Sequence, residues 1–408
     1  MKQRILFVHQ NFPAQFGQLA GALAAEGHEV VALGITLRPV AGVRGVRYAV
    51  PAQANSPAMR ISREVEGQFT RGQACARAMQ VLKDEGFMPD VIVAHPGWGE
   101  ALFCKDVWPQ ARLLIFAEFF YSADGADVGF DAEFPSHGPE SRLRIRLKNT
   151  VHLHALAAAD GGYTPTRWQQ QQIPSVYRPL FDVIFDGIDT DAVRPDARAS
   201  IRLNRDGVTV RPGDEVLTFV NRNLEPYRGF HVFMRALPEI LRRRPQARCV
   251  IIGGDEVSYG SKPRGHNNWR EAMLAEVAHL LPPGRVHFLG RVPYADYLRV
   301  LQVSACHVYL TYPFVLSWSG VEAMAAGCVV VASRTAPVEE VIEHGRNGLL
   351  FDFFDVQALA GRVCNVLADP PRFATLAAAA RAGVVERYDL GTRCLPALIK
   401  LVLDRCGT

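Results

Sequence analysis

Short apolar runs alternate with amphipathic segments along the whole chain. The apolar runs predict strands at residues 5–8, 30–33, 91–94, 113–117, 216–220, 249–252, 286–289, 307–310 and 328–332. The amphipathic segments predict helices at residues 16–26, 144–159, 231–243, 269–281 and 294–303. Strands that alternate with helices form parallel sheets with right-handed crossovers. The pattern therefore predicts an α/β protein.

A segment rich in turn-forming residues, 185–195, separates two halves and is followed by a polar stretch to Gly213. At 408 residues, the chain exceeds what one hydrophobic core usually organises. We predict two doubly wound, Rossmann-like domains facing a central cleft, at residues 1–190 and 191–385, and a C-terminal helix within 386–408 that packs back on the first domain. Because such sheets bind ligands at the carboxyl ends of their strands, we expect the active site in the cleft.

Composition narrows the class of protein. The 45 basic and 41 acidic residues leave a net charge of +4, which is too weak a bias to predict a nucleic-acid partner. Mean hydropathy is +0.02, and no apolar run approaches the ~20 residues that cross a bilayer. Eight cysteines without a C-x-x-C pair indicate reduced, buried thiols. We expect a cytoplasmic globular protein.

Two arginines lie six residues apart in a predicted strand-to-helix turn. Arg222 and Arg228 enclose the sequence R-N-L-E-P-Y-R at the end of a strand. Guanidinium groups stay charged and present a planar fork of donors to phosphate oxygens, so the pair can neutralise a departing diphosphate without a metal. The alternative is a solvated turn with two surface arginines.

A second informative stretch, residues 312–327, follows a predicted strand and opens a helix. The first-turn amides of such a helix can hold an anion, and Glu322 can accept hydrogen bonds from two ribose hydroxyls. The alternative is that Glu322 only favours its helix N-terminus, an effect of ~0.3–1 kcal/mol.

Together the two stretches resemble glycosyltransferase family 4. That family's donor domain carries an arginine and a lysine six apart, in a G-R-x-x-x-x-K-G pattern, and a glutamate pair eight apart. Further similar segments occur in the family's order: G-H-E-V at 27–30, D-G-I-D-T at 186–190, G-G-D at 253–255, F-L-G-R-V at 288–292, E-V-I at 340–342 and G-R-N-G-L at 345–349. The resemblance covers the whole second half.

The resemblance implies a GT-B fold and a retaining hexosyltransferase. It implies a UDP- or GDP-sugar donor bound by the second domain, and a glycan or lipid-linked acceptor whose hydroxyl is bound by the first. No cofactor and no metal are expected. The setting implied is polysaccharide or glycoconjugate biosynthesis in the cytoplasm.

The resemblance also assigns roles to individual residues. Arg222 and Arg228 would hold the diphosphate and act in catalysis, with Arg228 replacing the usual lysine. Glu322 would bind the ribose. The remaining donor-binding positions implied are Gly17, Gly254, Arg291, Val292, Trp318, Ser319 and Gly320.

Two positions depart from the family pattern. The first glutamate of the pair falls on Phe314, so the identity of the donor sugar cannot be inherited. Where many relatives have a histidine after a first-domain strand, this chain has Glu118, followed by Tyr121. Either side chain can accept the acceptor's proton or a sugar hydrogen bond, while an ordinary ion pair is the alternative for Glu118. His95, at a neighbouring strand end, is a further candidate for the acceptor site, with a structural histidine as its alternative.

Two further sequence segments and three alternative functions also need to be considered. Residues 189–191 read D-T-D, but lie in the linker, so we predict no metal there. The basic run at 142–148 suits either anionic lipid at the inner face of the membrane or a solvated helix face. The alternative functions are a nucleotide-sugar epimerase, a sugar phosphorylase, or a non-catalytic nucleotide-sugar binding subunit, which Phe314 would favour.

Overall fold

The computed structural model describes residues 2–51, 63–134, 138–203 and 207–404. The chain divides into two compact units: Met1–Asp186 with Gly391–Thr408, and Gly187–Leu390. The two units divide a few residues from the predicted boundaries, and within the second unit residue 188 pairs with the residues around 389. Ile188 donates its amide to the Tyr388 carbonyl at 2.8 Å, and the Leu390 amide donates to the Ile188 carbonyl at 2.8 Å.

The first unit is built around a seven-stranded parallel sheet in the order β5-β3-β1-β6-β7-β8-β9. Its elements up to the division are β1 (Arg4–Val8), β2 (Asn11–Phe12), α1 (Gly17–Ala25), β3 (Glu29–Gly34), β4 (Thr36–Leu37), β5 (Val43–Arg47), α2 (Arg63–Asp84), β6 (Val91–Ala94), α3 (Cys104–Val107), β7 (Arg112–Phe116), α4 (Gly138–Lys148), α5 (Thr150–Ala158), β8 (Gly161–Thr164), α6 (Arg167–Gln172) and β9 (Phe181–Val183).

The second unit is built around a six-stranded parallel sheet in the order β14-β13-β12-β15-β16-β17. Its elements are β10 (Ile201–Arg202), β11 (Thr209–Val210), β12 (Val216–Asn223), α7 (Phe230–Arg243), β13 (Arg248–Gly254), α8 (Trp269–Val277), β14 (Val286–Gly290), α9 (Tyr294–Gln302), β15 (Cys306–Tyr309), α10 (Trp318–Ala325), β16 (Val329–Ser333), α11 (Ala336–Glu339), β17 (Leu349–Phe351), α12 (Val356–Ala368) and α13 (Ala374–Tyr388).

The last helix, α14 (Leu395–Leu403), belongs to the first unit. Leu398 and Val402 are buried in the same core cluster as residues of β1, α1 and β7. The Arg112 guanidinium donates to the carbonyl oxygens of Leu401, Val402 and Asp404, the last turn of α14. A cation at these carbonyls stabilises a helix C-terminus.

Helices cover both faces of the first sheet, as a doubly wound sheet requires. One core cluster packs α2 against the sheet, and the other packs α1 and α14 against the opposite face. The predicted strands are all present, and the fold class is confirmed. Within the described ranges, no helix has both the length and the apolar character needed to cross a bilayer.

The single helix predicted over residues 144–159 is wrong, because two helices, α4 and α5, divide at Asn149. The Asn149 side chain accepts a hydrogen bond from the Tyr121 amide at 3.1 Å and donates one to the Tyr121 carbonyl at 2.7 Å. The residue between the two helices therefore holds the main chain of a distant loop. The predicted helix over residues 269–281 ends at Val277 and continues only as a short 3-10 turn.

Candidate functional site

Arg228 is buried at the carboxyl edge of the second sheet. It ends a 3-10 turn after β12, and Gly229, with a φ of +66°, is the N-cap of α7. A Cβ at Gly229 would lie 2.3 Å from the Leu310 Cβ, so only glycine fits both the conformation and the space. This tight turn carries Arg228 back against the segment that follows β15.

The partners of Arg228 are all uncharged. Its Nη1 donates to the Thr311 hydroxyl at 2.7 Å and to the Val315 carbonyl at 2.8 Å. The guanidinium carbon lies 5.4 Å from the Tyr259 ring centroid and 5.8 Å from that of Phe314. Arg228 is only 7% exposed, and no carboxylate in the described part of the chain forms an ion pair with it. A buried cation without a counter-ion favours an anionic ligand.

Arg222, the other member of the predicted pair, is exposed near the end of β12. In the part of the chain that the structure describes, no hydrogen bond or ion pair engages its side chain. The two arginines therefore differ: Arg228 is held in one position, whereas Arg222 reaches solvent from the strand end.

The helix α10 begins next to Arg228. Ser317 is its N-cap, and the Ser317 amide donates to the Tyr309 hydroxyl at 2.7 Å. A Cβ at Gly320 would lie 3.1 Å from atoms of the Tyr309 ring, so the first turn packs closely on β15. Trp318 is 43% exposed and Ser319 is buried. The residues predicted to supply amides to a phosphate thus form the first turn of a helix that follows the Arg228 contacts.

Glu322 lies one turn further along α10 and is 7% exposed. Its Oε1 accepts from the Tyr294 hydroxyl at 2.7 Å, and its Oε2 accepts from the Tyr297 hydroxyl at 2.6 Å. Burial raises the pKa of the Glu322 carboxyl, and the two tyrosine hydrogen bonds oppose that shift. Composition and periodicity did not single out these two tyrosines.

Gly254 and Arg291 meet at the ends of β13 and β14. A Cβ at Gly254 would lie 2.7 Å from the Arg291 Nε and 2.5 Å from the Asn223 Oδ1. The Arg291 Nη2 donates to Asn223 Oδ1 at 3.0 Å and to Glu256 Oε2 at 2.6 Å. Val292 follows, half-buried, at the start of the connection to α9. The structure therefore brings together two predicted donor-site residues that are distant in sequence.

Phe314, which the sequence resemblance aligns with the first glutamate of the family's pair, lies in an aromatic environment. It is 2% exposed and contacts the rings of Tyr259 at 4.8 Å and Tyr227 at 5.7 Å between centroids. An aromatic cluster thus stands beside Arg228 at this position.

Glu225, which sequence reasoning missed, holds the loop that carries Tyr259. Its buried carboxylate accepts hydrogen bonds from the amides of Ser258, Tyr259 and Gly260, at 3.1–3.3 Å. Residue 225 lies within the stretch that contains the two arginines, but nothing in the sequence connects it to residues 258–260.

In the first unit, His95 and Glu118 meet at the carboxyl ends of β6 and β7. The Gly97 amide donates to the His95 Nδ1 at 3.0 Å, so the proton of the neutral ring lies on Nε2. Nε2 is 3.3 Å from the Glu118 Oε2, and the Glu118 side chain is 42% exposed. Histidine therefore donates to the carboxylate and orients it.

His9, at the end of β1, was also missed. Its ring contacts those of His95 and Trp98, at 5.3 Å and 4.9 Å between centroids. The Asn11 amide donates to the His9 Nδ1 at 2.9 Å. Burial, with a smaller contribution from His95, lowers the pKa of His9 to about 3, so the ring is neutral at physiological pH. In the sequence, only its position directly after the predicted strand at residues 5–8 could have marked His9 as a candidate.

Tyr121 and Gly17 lie elsewhere in the first unit. The Lys148 ammonium lies 3.7 Å from the centroid of the Tyr121 ring. Gly17 is the first residue of α1, where a Cβ would lie 3.2 Å from the Pro13 Cβ.

In the linker, the Asp189 carboxylate accepts hydrogen bonds from the amides of Asp191 and Ala192, at 3.2 Å and 2.9 Å. The Asp189 carboxylate thus stabilises a turn of the main chain.

Two family models match most of the chain. The glycosyl transferase family 4 group model matches residues 26–193, and the glycosyl transferases group 1 model matches residues 201–383. The chain is 30% identical over 296 residues to GDP-mannose-dependent alpha-(1-6)-phosphatidylinositol monomannoside mannosyltransferase of Mycolicibacterium smegmatis, covering 70% of each protein. It is 27% identical over 201 residues to D-inositol 3-phosphate glycosyltransferase of Rhodococcus jostii, covering 49% of this chain and 42% of that one.

Solved structures share the fold. Sucrose-phosphate synthase from Thermosynechococcus elongatus superposes with a TM-score of 0.72 at 18% identity, over 98% of this chain and 97% of that one. Anabaena HepE in complex with UDP-glucose superposes with a TM-score of 0.66 at 18% identity, over 98% of both chains. The two Rossmann-like units, the two matched models and the M. smegmatis relative lead to one conclusion: the chain belongs to glycosyltransferase family 4 and is a hexosyltransferase enzyme with the GT-B fold.

Proposed function

We propose that this enzyme moves a hexosyl group from a UDP- or GDP-sugar to a hydroxyl of a glycan or lipid-linked acceptor, with retention of configuration and without a metal ion. The observation that carries the proposal is Arg228, a buried guanidinium whose hydrogen-bond partners are a hydroxyl and a carbonyl. Such a group is positioned before the reaction to stabilise charge that develops on a leaving diphosphate.

The other donor contacts follow from the same strand ends. Arg222 closes on the diphosphate from solvent, the first turn of α10 supplies amides, and Glu322 accepts hydrogen bonds from the ribose. Arg291, Val292 and Gly254 border the base. The M. smegmatis relative is named as GDP-mannose-dependent, and HepE has been solved with UDP-glucose, so both bases stay in the proposal.

On the acceptor side, Glu118 accepts the proton of the attacking hydroxyl, and His95 fixes the orientation of its carboxylate. Tyr121 is a further acceptor-site residue in this proposal, and Gly17 is the residue of the first unit that approaches the donor diphosphate. Retention is proposed from family membership, and it requires the acceptor to attack from the face that the diphosphate leaves. We place the enzyme in cytoplasmic assembly of polysaccharides or glycoconjugates.

A thermal-shift screen tests the donor site. UDP or GDP is expected to raise the melting temperature, because a ligand at a hundred times its dissociation constant adds ~2.7 kcal/mol to the free energy of unfolding. The matched monophosphate should stabilise less, since it lacks the second phosphate that the arginines address. The shift should be the same with magnesium or with EDTA.

Stabilisation by no nucleotide diphosphate would reject the donor site. A shift that disappears in EDTA would reject metal independence. In turnover assays, release of nucleotide diphosphate that depends on an added acceptor separates transfer from epimerisation.

We further propose that α4 brings the enzyme to anionic membranes that carry a lipid-linked acceptor. Arg144 and Arg146 are exposed on this helix, beside Leu143, which is 55% exposed. Arg142 is already paired with Asp124 at 2.6 Å. Basic side chains near an anionic bilayer contribute about 1 kcal/mol each.

The double variant Arg144→Glu with Arg146→Glu is therefore expected to lower binding to anionic vesicles at least about tenfold in co-sedimentation at low salt. A matched control, Arg242→Glu with Arg243→Glu on α7, should bind as the wild type does. Equal loss in both variants, or binding to neutral vesicles alone, would contradict the proposal and leave α4 as a solvated helix face.

A further inference from the structure

Both oxygens of the Glu322 carboxylate are engaged in the free protein. Tyr294 donates to Oε1 at 2.7 Å and Tyr297 donates to Oε2 at 2.6 Å. The two tyrosines are three residues apart on α9, so they lie on the same face of that helix. Their ring centroids are 5.6 Å apart. A predicted ribose-binding carboxylate is thus already holding two hydroxyl groups.

The two tyrosines differ in how easily each can leave. Tyr297 is 9% exposed, whereas Tyr294 is 55% exposed. A Tyr294 hydroxyl that leaves Glu322 finds water at once, so the exchange costs little. A Tyr297 hydroxyl that leaves would stay buried without a partner, which is costly. Tyr297 is therefore the fixed partner, and Tyr294 the exchangeable one.

The burial of Glu322 explains why a second hydroxyl is needed. A carboxylate with an unsatisfied oxygen in a buried place loses hydration that nothing replaces. Burial also raises the pKa of Glu322, and hydrogen bonds from Tyr297 and then Tyr294 lower it again. The Tyr294 hydroxyl thus helps to keep the carboxylate ionised, as an acceptor of ribose hydroxyls, before any ligand arrives.

We propose that Tyr294 holds the place of a ribose hydroxyl on Glu322, and that a nucleoside diphosphate displaces it while Tyr297 remains. The inference rests on the proposed function, since it needs a ribose at Glu322. It makes Tyr294 a residue that sets donor affinity and Tyr297 a positioning residue. The chemistry recognised is a ribose diol, whichever base it carries.

The test compares Tyr294→Phe with Tyr297→Phe, a pair that removes one hydroxyl each and keeps both rings. Dissociation constants are measured by titration calorimetry for UDP, GDP and their 2′-deoxy and 3′-deoxy forms. Tyr294→Phe is expected to bind the ribonucleotide about 2- to 10-fold more tightly, because the ribose no longer competes with a phenol. Its preference for ribo over deoxy forms should rise by a similar factor.

Tyr297→Phe is expected to bind the ribonucleotide about 2- to 10-fold more weakly, since Glu322 loses its fixed donor. Melting temperatures without ligand check that both variants are folded. Ribonucleotide binding by Tyr294→Phe that is equal to or weaker than that of the wild type rejects the inference alone. Binding of neither UDP nor GDP by any of the three proteins rejects the proposed function as well.

Discussion

Replacing Arg228 with methionine is expected to lower the turnover number by at least ~100-fold, the scale found when one preorganised electrostatic stabiliser is removed. Methionine is a flexible, apolar side chain, so it can remain beside the rings of Tyr259 and Phe314. What disappears is the charge that neutralises the departing diphosphate. Arg222→Ala should act in the same direction.

The variant Arg228→Lys keeps the positive charge but loses the planar guanidinium, so it distinguishes the effects of the two. The sequence resemblance implies a lysine at this position in the family, so this variant is expected to retain turnover within about tenfold of the wild type, although it loses the planar fork. The assay measures acceptor-dependent release of nucleotide diphosphate, with the donor base identified by thermal shift. The control is Arg242→Met on α7, an exposed arginine paired with Glu239 at 2.9 Å, and it should turn over as the wild type does. Near-normal turnover in Arg228→Met would remove Arg228 from the mechanism.

The fold class could be predicted because most of the central strands of both sheets are buried on both sides. In β16 every residue is buried, and residues 329–332 form an uninterrupted apolar run, as parallel strands covered by helices do. The break at Asn149 could not be predicted in the same way. At the break, the Asn149 side chain makes two hydrogen bonds with the main chain of Tyr121, 28 residues away, and local periodicity carries no information about a contact of that kind.

In the candidate site, too, the sequence indicates residues but not the long-range contacts that they make. Arg228 and Glu322 could be named as candidates from the sequence, since charged residues near strand and helix ends suit an anion and a ribose. Their environments were not. Tyr294 and Tyr297 fit an amphipathic helix equally well without any role, and only the fold brings their hydroxyls to a carboxylate 25 or more residues away.

Glu225 and His9 were missed because their partners lie far from them in the sequence. Glu225 acts on amides 33–35 residues further along the chain. His9 meets His95 only because β1 and β6 are neighbours in the sheet. Strand order is a property of the whole sheet, and two isolated histidines do not reveal it.

Strand order also places the last group that we test, the Glu118 carboxylate. Glu118 follows β7, and His95 follows the adjacent β6, so their side chains meet at one edge. The Gln169 Nε2 donates to the Glu118 carbonyl at 2.5 Å, which fixes the main chain. The carboxylate is therefore positioned from both sides while 42% of its side chain stays exposed.

Glu118→Gln is expected to lower the turnover number by about 100- to 10,000-fold, because an amide cannot accept the proton of the attacking hydroxyl. The affinity for the nucleotide diphosphate should change less than twofold, since Glu118 belongs to the first unit and the proposed diphosphate and ribose contacts, Arg228 and Glu322, to the second. Glu85→Gln, which removes an exposed carboxylate paired with Arg44 at 2.6 Å, is the matched control and should leave both quantities unchanged. If Glu118→Gln lowers donor affinity and turnover together, the carboxylate acts in donor binding; if it changes neither, the interaction with His95 is an ordinary structural contact. Loss of turnover alone is the outcome that a proton acceptor requires.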